Sequence, residues 1–282
     1  MYFKKYVYLF LIVLFFSSCK FGMHEFFSRD NNVKTRAVNI SKLDINNYEK
    51  INSNEVFSIL VINDTHVGKY NFIEAKEKFF SWIDTYTQEN EIALCIINGD
   101  LTDTGTSEDY EKYIEFTEQI EDEFDIPVLS TLGNHDLCNS GVSIFLSKIK
   151  PYTSYYYLQT EKTSLYFLDT GNGTLGKNQL KDFKKVLRND DNKKIIFTHY
   201  PHYAEGHLMF VLTNNMERAV LIDEYSKNNV EYLVTAHCHE NYYSDYGTFA
   251  EISNTNFAAS NSRLIITIDE RQSETQITYK KF

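Results

Sequence analysis

The feature that most constrains this chain is a series of short apolar runs, each closed by polar residues of the kinds that bind metals. Val56–Ile62, Ile92–Ile97, Val128–Leu132, Leu165–Leu168, Ile195–Thr198 and Tyr232–Thr235 are such runs. Their length and β-branched content predict buried strands. Between them lie stretches with helical spacing. Phe72–Glu89 places Phe72, Ala75, Phe79, Trp82, Ile83 and Tyr86 on one face. Ser107–Glu121 does the same with Tyr110, Tyr113, Ile114 and Ile120, with Ser107 as the expected N-cap. Asn178–Leu187 and Asn215–Tyr225 are further helices, and Leu264–Ile268 with Thr275–Tyr279 read as a closing strand pair. Strands alternating with helices predict an α/β or mixed layered domain over 55–282. No internal repeat or low-complexity tract divides it, and 43% hydrophobic content suffices for a substantial core.

The N-terminus reads as a targeting segment. Lys4 and Lys5 precede an apolar run over Tyr6–Phe16, followed by Ser17-Ser18-Cys19. The run is shorter than the ~20 residues a membrane span needs, so an export signal over 1–18 is the better reading. Ser17-Ser18-Cys19 resembles a bacterial lipobox, which implies lipid attachment at Cys19, a membrane anchor and a location outside the cytoplasm. Phe16 departs from the usual Leu. Residues 19–54 are polar and Asn-rich and read as a tether, with an ordered strap across the domain as the alternative. Cys95 sits inside an apolar run and reads as a buried small hydrophobe.

Metal-ligand residue types follow five of the strands. Asp64 and His66 follow the first, Gly99-Asp100 with Asp103 the second, and Gly133-Asn134-His135-Asp136 the third. His199 follows the Ile195–Thr198 strand, and His237 and His239 follow the Tyr232–Thr235 strand. In layered α/β folds ligands gather beyond the carboxyl ends of strands, so five strand ends can converge on one point. Each motif alone is weak; the ordered set is not. His-x-His on a strand points both rings to one face and turns Cys238 away. His202 reads equally as a substrate contact or a surface residue, and Lys69 as a solvated lysine.

The series Asp64-x-His66, Gly99-Asp100-x-x-Asp103, Gly133-Asn134-His135-Asp136, His199 and His237-x-His239 resembles the calcineurin-like metallophosphoesterase superfamily from about Val56 to His239. Ala236, where that family commonly has Gly, is the one departure. The resemblance implies two β-sheets packed face to face and flanked by helices, a four-layer fold. It implies that Asp64, His66 and His239 hold one divalent ion, that Asn134, His199 and His237 hold another, and that Asp100 bridges them. Carboxylate, imidazole and amide oxygen suit Mn, Fe or Zn. Two such ions clamp a phosphoryl group and supply a hydroxide nucleophile. The resemblance assigns His135 to the leaving oxygen, with Asp136 orienting its ring. Purple acid phosphatases fit less well, since their pattern has Tyr where Asp103 stands and no His matching His66. A non-catalytic surface lipoprotein that retains the fold is the alternative, but every expected ligand and His135 are present.

Loss of Lys4 and Lys5 on cleavage would take the formal net charge from −11 to −13. Nucleic-acid polymers bind through many Lys and Arg contacts, so the acidic chain predicts small phosphomonoesters or cyclic phosphodiesters as substrates instead. No candidate helix is expected to carry a basic stripe. A groove assembled from Lys69, Arg218 and Arg263 is the route by which a nuclease would still arise.

Overall fold

The computed structural model describes residues 33–259 and 262–281. The expected export signal over 1–18 and the expected lipidation site, Cys19, lie outside the described residues. Two sheets make up the centre. The smaller has the order β12-β11-β2-β3-β4, from β2 (Val56–Asn63), β3 (Leu94–Asn98), β4 (Val128–Thr131), β11 (Ser262–Asp269) and β12 (Glu274–Lys281). The larger has the order β1-β5-β6-β7-β8-β10-β9. Its strands are β1 (Ser41–Lys42), β5 (Tyr156–Gln159), β6 (Thr163–Leu168), β7 (Lys193–Thr198), β8 (Val230–Thr235), β9 (Tyr242–Asp245) and β10 (Ala250–Ser253). The helices are α1 (Glu49–Ser53), α2 (Phe72–Thr87), α3 (Ser107–Phe124), α4 (Gly141–Lys148), α5 (Gly176–Arg188) and α6 (Asn215–Lys227).

Period-2 alternation sorts the apolar runs into layers. Along β2, Ile59 and Val61 face the larger sheet and meet Phe167, Ile195, Phe197, Val234 and Ile252. Leu60 and Ile62 face outward beneath α2, α3 and α4, against Phe79, Ile83, Phe116 and Phe145. The outer face of the larger sheet, with Tyr166, Ile196 and Leu233, lies under Phe183 and Leu187 of α5 and Leu221 and Tyr225 of α6. The result is the expected four layers. α3 is capped one residue earlier than expected: the Thr106 side chain, not that of Ser107, accepts from Asp109 N.

β2, β3 and β4 run parallel, as do β6, β7, β8 and β10. Two buried asparagines join the carboxyl ends of the sheets. Asn63 Nδ2 donates to the carbonyls of Thr235 (2.9 Å) and Asn254 (3.0 Å). Asn98 Nδ2 donates to those of Thr198 (3.1 Å) and Val234 (3.2 Å). These buried amides bond backbone carbonyls at the ends of the opposite sheet, so that the loop rims of the two sheets are held together.

The expected tether is corrected over 33–54, where the alternative strap reading holds. Val33 and Ala37 are buried against α5 and the larger sheet, and Arg36 forms an ion pair with Asp169 and donates to Asn172. β1 then pairs with β5, and α1 buries Ile51 against Phe57 and Ala93 between the sheets. Among the described residues, no helix is long and apolar enough to cross a membrane.

Candidate metal centre

The ligand loops leave their strands through strained backbone. Asp64, His66, Asp100, His237 and His239 have φ of 51°, 43°, 45°, 66° and 59°. Left-handed conformations cost non-glycine residues about 1–3 kcal/mol each and persist where the surroundings enforce them, as at functional sites. Two glycines make the approach possible. A Cβ on Gly99 would lie 2.2 Å from His199 Nδ1, and one on Gly133 would lie 2.0 Å from Asp100 N.

Asp64, His66 and His239 form one group of converging ligand atoms; Asp100, His199 and His237 form another. His66 Nε2 and His239 Nε2 are 3.3 Å apart, and Asp64 Oδ1 lies 3.7 Å from His239 Nε2. Asn134 Oδ1 lies 2.9 Å from His199 Nε2 and so joins the second group. The Asp100 carboxylate stands between them, with Oδ2 3.8 Å from His66 Nε2 and Oδ1 3.4 Å from His199 Nε2. All seven expected ligands are thus brought together.

The His237–His239 pair arrives by a different route from the one expected. β8 ends at Thr235, and 236–239 is a turn closed by Cys238 N donating to Ala236 O at 2.7 Å. Left-handed φ at both histidines, rather than strand alternation, aims the rings at one cluster. Cys238 does turn away, packing against Ala204, Val211 and Tyr242. Ala236 is fully buried without disturbing the turn.

The donor set fits cations. Burial depresses the imidazoles, His66 to about 2 and His199 and His237 to about 3, so their lone pairs are free at neutral pH. Burial, followed by the nearby Asp100 charge, raises the Asp64 carboxyl well above its usual range. Neutral nitrogens packed against buried acids without a compensating cation are costly; divalent ions remove the conflict. Outer contacts hold the ligands: the Asn256 amide lies 3.1 Å from His239 Nδ1, and the Thr170 hydroxyl fixes the backbone at His199 by accepting from the N–H groups of His199 and Tyr200.

His135 lies on the open rim, its Nε2 3.9 Å from Asp100. Its Nδ1 contacts the backbone carbonyl of Asp103 at 2.7 Å, with the Asp103 carboxylate 3.5 Å away. The expectation that Asp136 orients this ring is corrected. Asp136 is fully buried and accepts from Leu101 N, Thr102 N, Gly133 N, the Thr102 hydroxyl and the Tyr110 hydroxyl. Its carboxylate ties together the loops after β3 and β4, and Asp103 holds His135. Burial, with Asp100 adding, pushes the Asp136 carboxyl up to about 7, against the pull of its backbone donors.

Other flagged residues sort as follows. Lys69 Nζ lies 3.7 Å from the Asp103 carboxylate. His202 is buried, with its ring against Tyr225. Arg218 donates to His202 O, and Arg263 is buried over the rings of Phe79 and Phe257, so neither builds a groove with Lys69. The expected lack of a basic stripe is overturned, since α5 carries Lys177, Lys181, Lys184, Lys185 and Arg188 at the spacing of one face. Glu224 pairs with Lys184 and Arg188 and offsets part of that charge.

The profile of the calcineurin-like phosphoesterases matches residues 57–241, the span that carries every ligand above. The chain belongs to this family. It is therefore a phosphoesterase that works with divalent metal ions. It is 24% identical over 193 residues to a protein of Fibrobacter succinogenes named "Probable cyclic nucleotide phosphodiesterase", covering 66% of this chain and 73% of that one. Its fold is similar to a dimetal phosphatase from Danio rerio (TM-score 0.59, 11% identity, 78% of this chain and 98% of that chain). It is also similar to GAP50, the anchor in the inner membrane complex of Plasmodium (TM-score 0.57, 11% identity, 80% and 88%). These two likenesses concern the fold alone.

Proposed function

We propose that this phosphoesterase hydrolyses small phosphodiesters, cyclic nucleotides among them, and phosphomonoesters, at a centre of two divalent ions. The observation that carries the reading is the Asp100 carboxylate, whose two oxygens face separate histidine groups. Asp64, His66 and His239 would hold one ion, and Asn134, His199 and His237 the other. Ions in these places polarise phosphoryl oxygens and lower the pKa of a water. The anionic Asp100 offsets repulsion between neighbouring cations. His135, held through Nδ1 by the Asp103 carbonyl, presents Nε2 to the cluster, where it can pass a proton to the leaving oxygen. The name of the Fibrobacter relative favours cyclic diesters, and the acidic chain favours small substrates over polymers.

The test is metal content together with turnover of an aryl phosphate, an aryl phosphodiester, cyclic AMP and a single-stranded oligonucleotide, with Mn, Fe and Zn added in turn. Two metal equivalents and metal-dependent turnover of the small esters are expected. A marked preference for the oligonucleotide that falls steeply with salt would move the activity to polymers. We further propose that the chain is exported and lipidated at Cys19. Labelled fatty acid should enter the wild-type protein and not Cys19→Ala; absence of label on the wild type defeats the anchor.

A further inference from the structure

Beside the metal centre lies an apolar lip that no catalytic role uses. Within residues 203–210, Tyr203 is 47% exposed, Leu208 59%, Met209 92% and Phe210 41%. Single exposed apolar side chains are ordinary, but a contiguous group marks a binding surface. The Phe210 ring sits 5.9 Å from the ring of His237, at an interplanar angle of 69°. The lip therefore begins where the metal-binding histidines end.

The segment is held in shape from below. The buried Glu251 carboxylate accepts the backbone N–H groups of His202, Tyr203 and Ala204 and the hydroxyls of Tyr242 and Tyr246. Leu212 N donates to Pro201 O at 2.9 Å, and Val211 and Leu212 are buried just after Phe210. An apolar surface fixed in this way spares a ligand the entropic cost of ordering it.

We propose that the lip binds the aromatic group of the substrate, an aryl or nucleobase-type ring esterified to the phosphate at the metal centre. This rests on the phosphoesterase reading above and narrows its substrate class. Continuity with the His237 ring selects this occupant, because an ester group on a phosphate held at the metal group would extend past a ring that Phe210 adjoins. An anionic membrane surface is disfavoured: such surfaces attract Lys and Arg, and residues 203–210 contain neither, with Glu205 as the charged group besides His207. Stacking on Phe210 and contact with the thioether of Met209 suit a flat ring.

The test compares inhibition by phenylphosphonate and methylphosphonate, which share a phosphonyl group and differ by the ring. Both are measured against turnover of bis(4-nitrophenyl) phosphate by the Mn-loaded protein. Phenylphosphonate should bind about tenfold more tightly, in line with aromatic stacking as read by alanine substitution. Phe210→Ala should erase that difference and leave methylphosphonate inhibition unchanged, and Phe210→Trp should restore it. Equal inhibition in the wild type, or a preference that survives Phe210→Ala, overturns the proposal. So does a Phe210→Ala effect confined to retention on phosphatidylglycerol vesicles. Absence of metal-dependent turnover of the diester in the wild type overturns the phosphoesterase reading and this one together.

Discussion

Replacing Asp136 with Ala separates a structural carboxylate from one that orients a catalytic ring. Its oxygens accept three backbone N–H groups, from Leu101, Thr102 and Gly133, at 3.1, 3.1 and 3.0 Å, and two hydroxyls. The residue is fully buried, so water does not replace the lost acceptor at the native positions. A buried donor left unsatisfied costs about 1–3 kcal/mol. Taking the lower figure for the three backbone groups alone gives a loss of about 3 kcal/mol. In a domain of this size that lowers the melting temperature by roughly 6–12 °C. Asp136→Asn should rescue only part of this, because its amide N–H2 opposes the Leu101 and Gly133 donors or, if flipped, those of Thr102. The assays are thermal unfolding of the metal-free and metal-loaded protein, together with turnover of esters with good and poor leaving groups. If both variants melted within about 2 °C of the wild type and lost rate only on poor leaving groups, the reasoning would be refuted and Asp136 returned to the service of His135.

Asp100→Asn should lose activity and at least one metal equivalent by elemental analysis, because it weakens the group between both histidine sets; wild-type turnover with two equivalents bound would sink the bridge. His135→Ala should retain its metals and lose about 10²–10⁴-fold in rate, less for nitrophenol esters, whereas an equal loss for every leaving group would make His135 structural. His202 gives a pH prediction: burial lowers its pKa from 6.5 to about 3, so the unfolded chain takes up the proton first and stability falls as pH drops from 6.5 towards 3. Between pH 7 and pH 5 the wild type should therefore lose about 2 kcal/mol more than His202→Phe in urea unfolding, and equal losses would show that His202 does not titrate as its burial requires.

The ligands were legible because burial and chemistry impose opposite demands at each strand end. β2, β3, β4, β7 and β8 must be apolar along their buried lengths, so Asp64, Asp100, Asn134, His199 and His237 stand out as the polar residues that follow. The same contrast made the four layers readable, while β1 has only two residues and β5, β9 and β10 carry polar residues in place of a continuous apolar run. The N-terminal strap was obscured for the same reason, since α1 offers five residues and one buried side chain. Asp136 was misread because adjacency along the chain was taken for adjacency of side chains. His135–Leu137 is a 3-10 turn, in which successive side chains diverge by about 120°, so a ring on the rim requires its neighbour to face elsewhere, here inward. The group that does hold His135 is a backbone carbonyl, at Asp103, and a carbonyl leaves no mark in a side-chain pattern. The lip was hidden differently: Leu208-Met209-Phe210 has the composition of a core segment, and it is the anchoring on either side, by the distant Glu251 carboxylate at 202–204 and by Leu212 N on Pro201 O, that holds the segment with that apolar run outside. Hydrophobic patterning locates residues that leave water in the folded chain; an apolar surface kept for a ligand violates that pattern, and so emerges only once the groups that anchor it are seen.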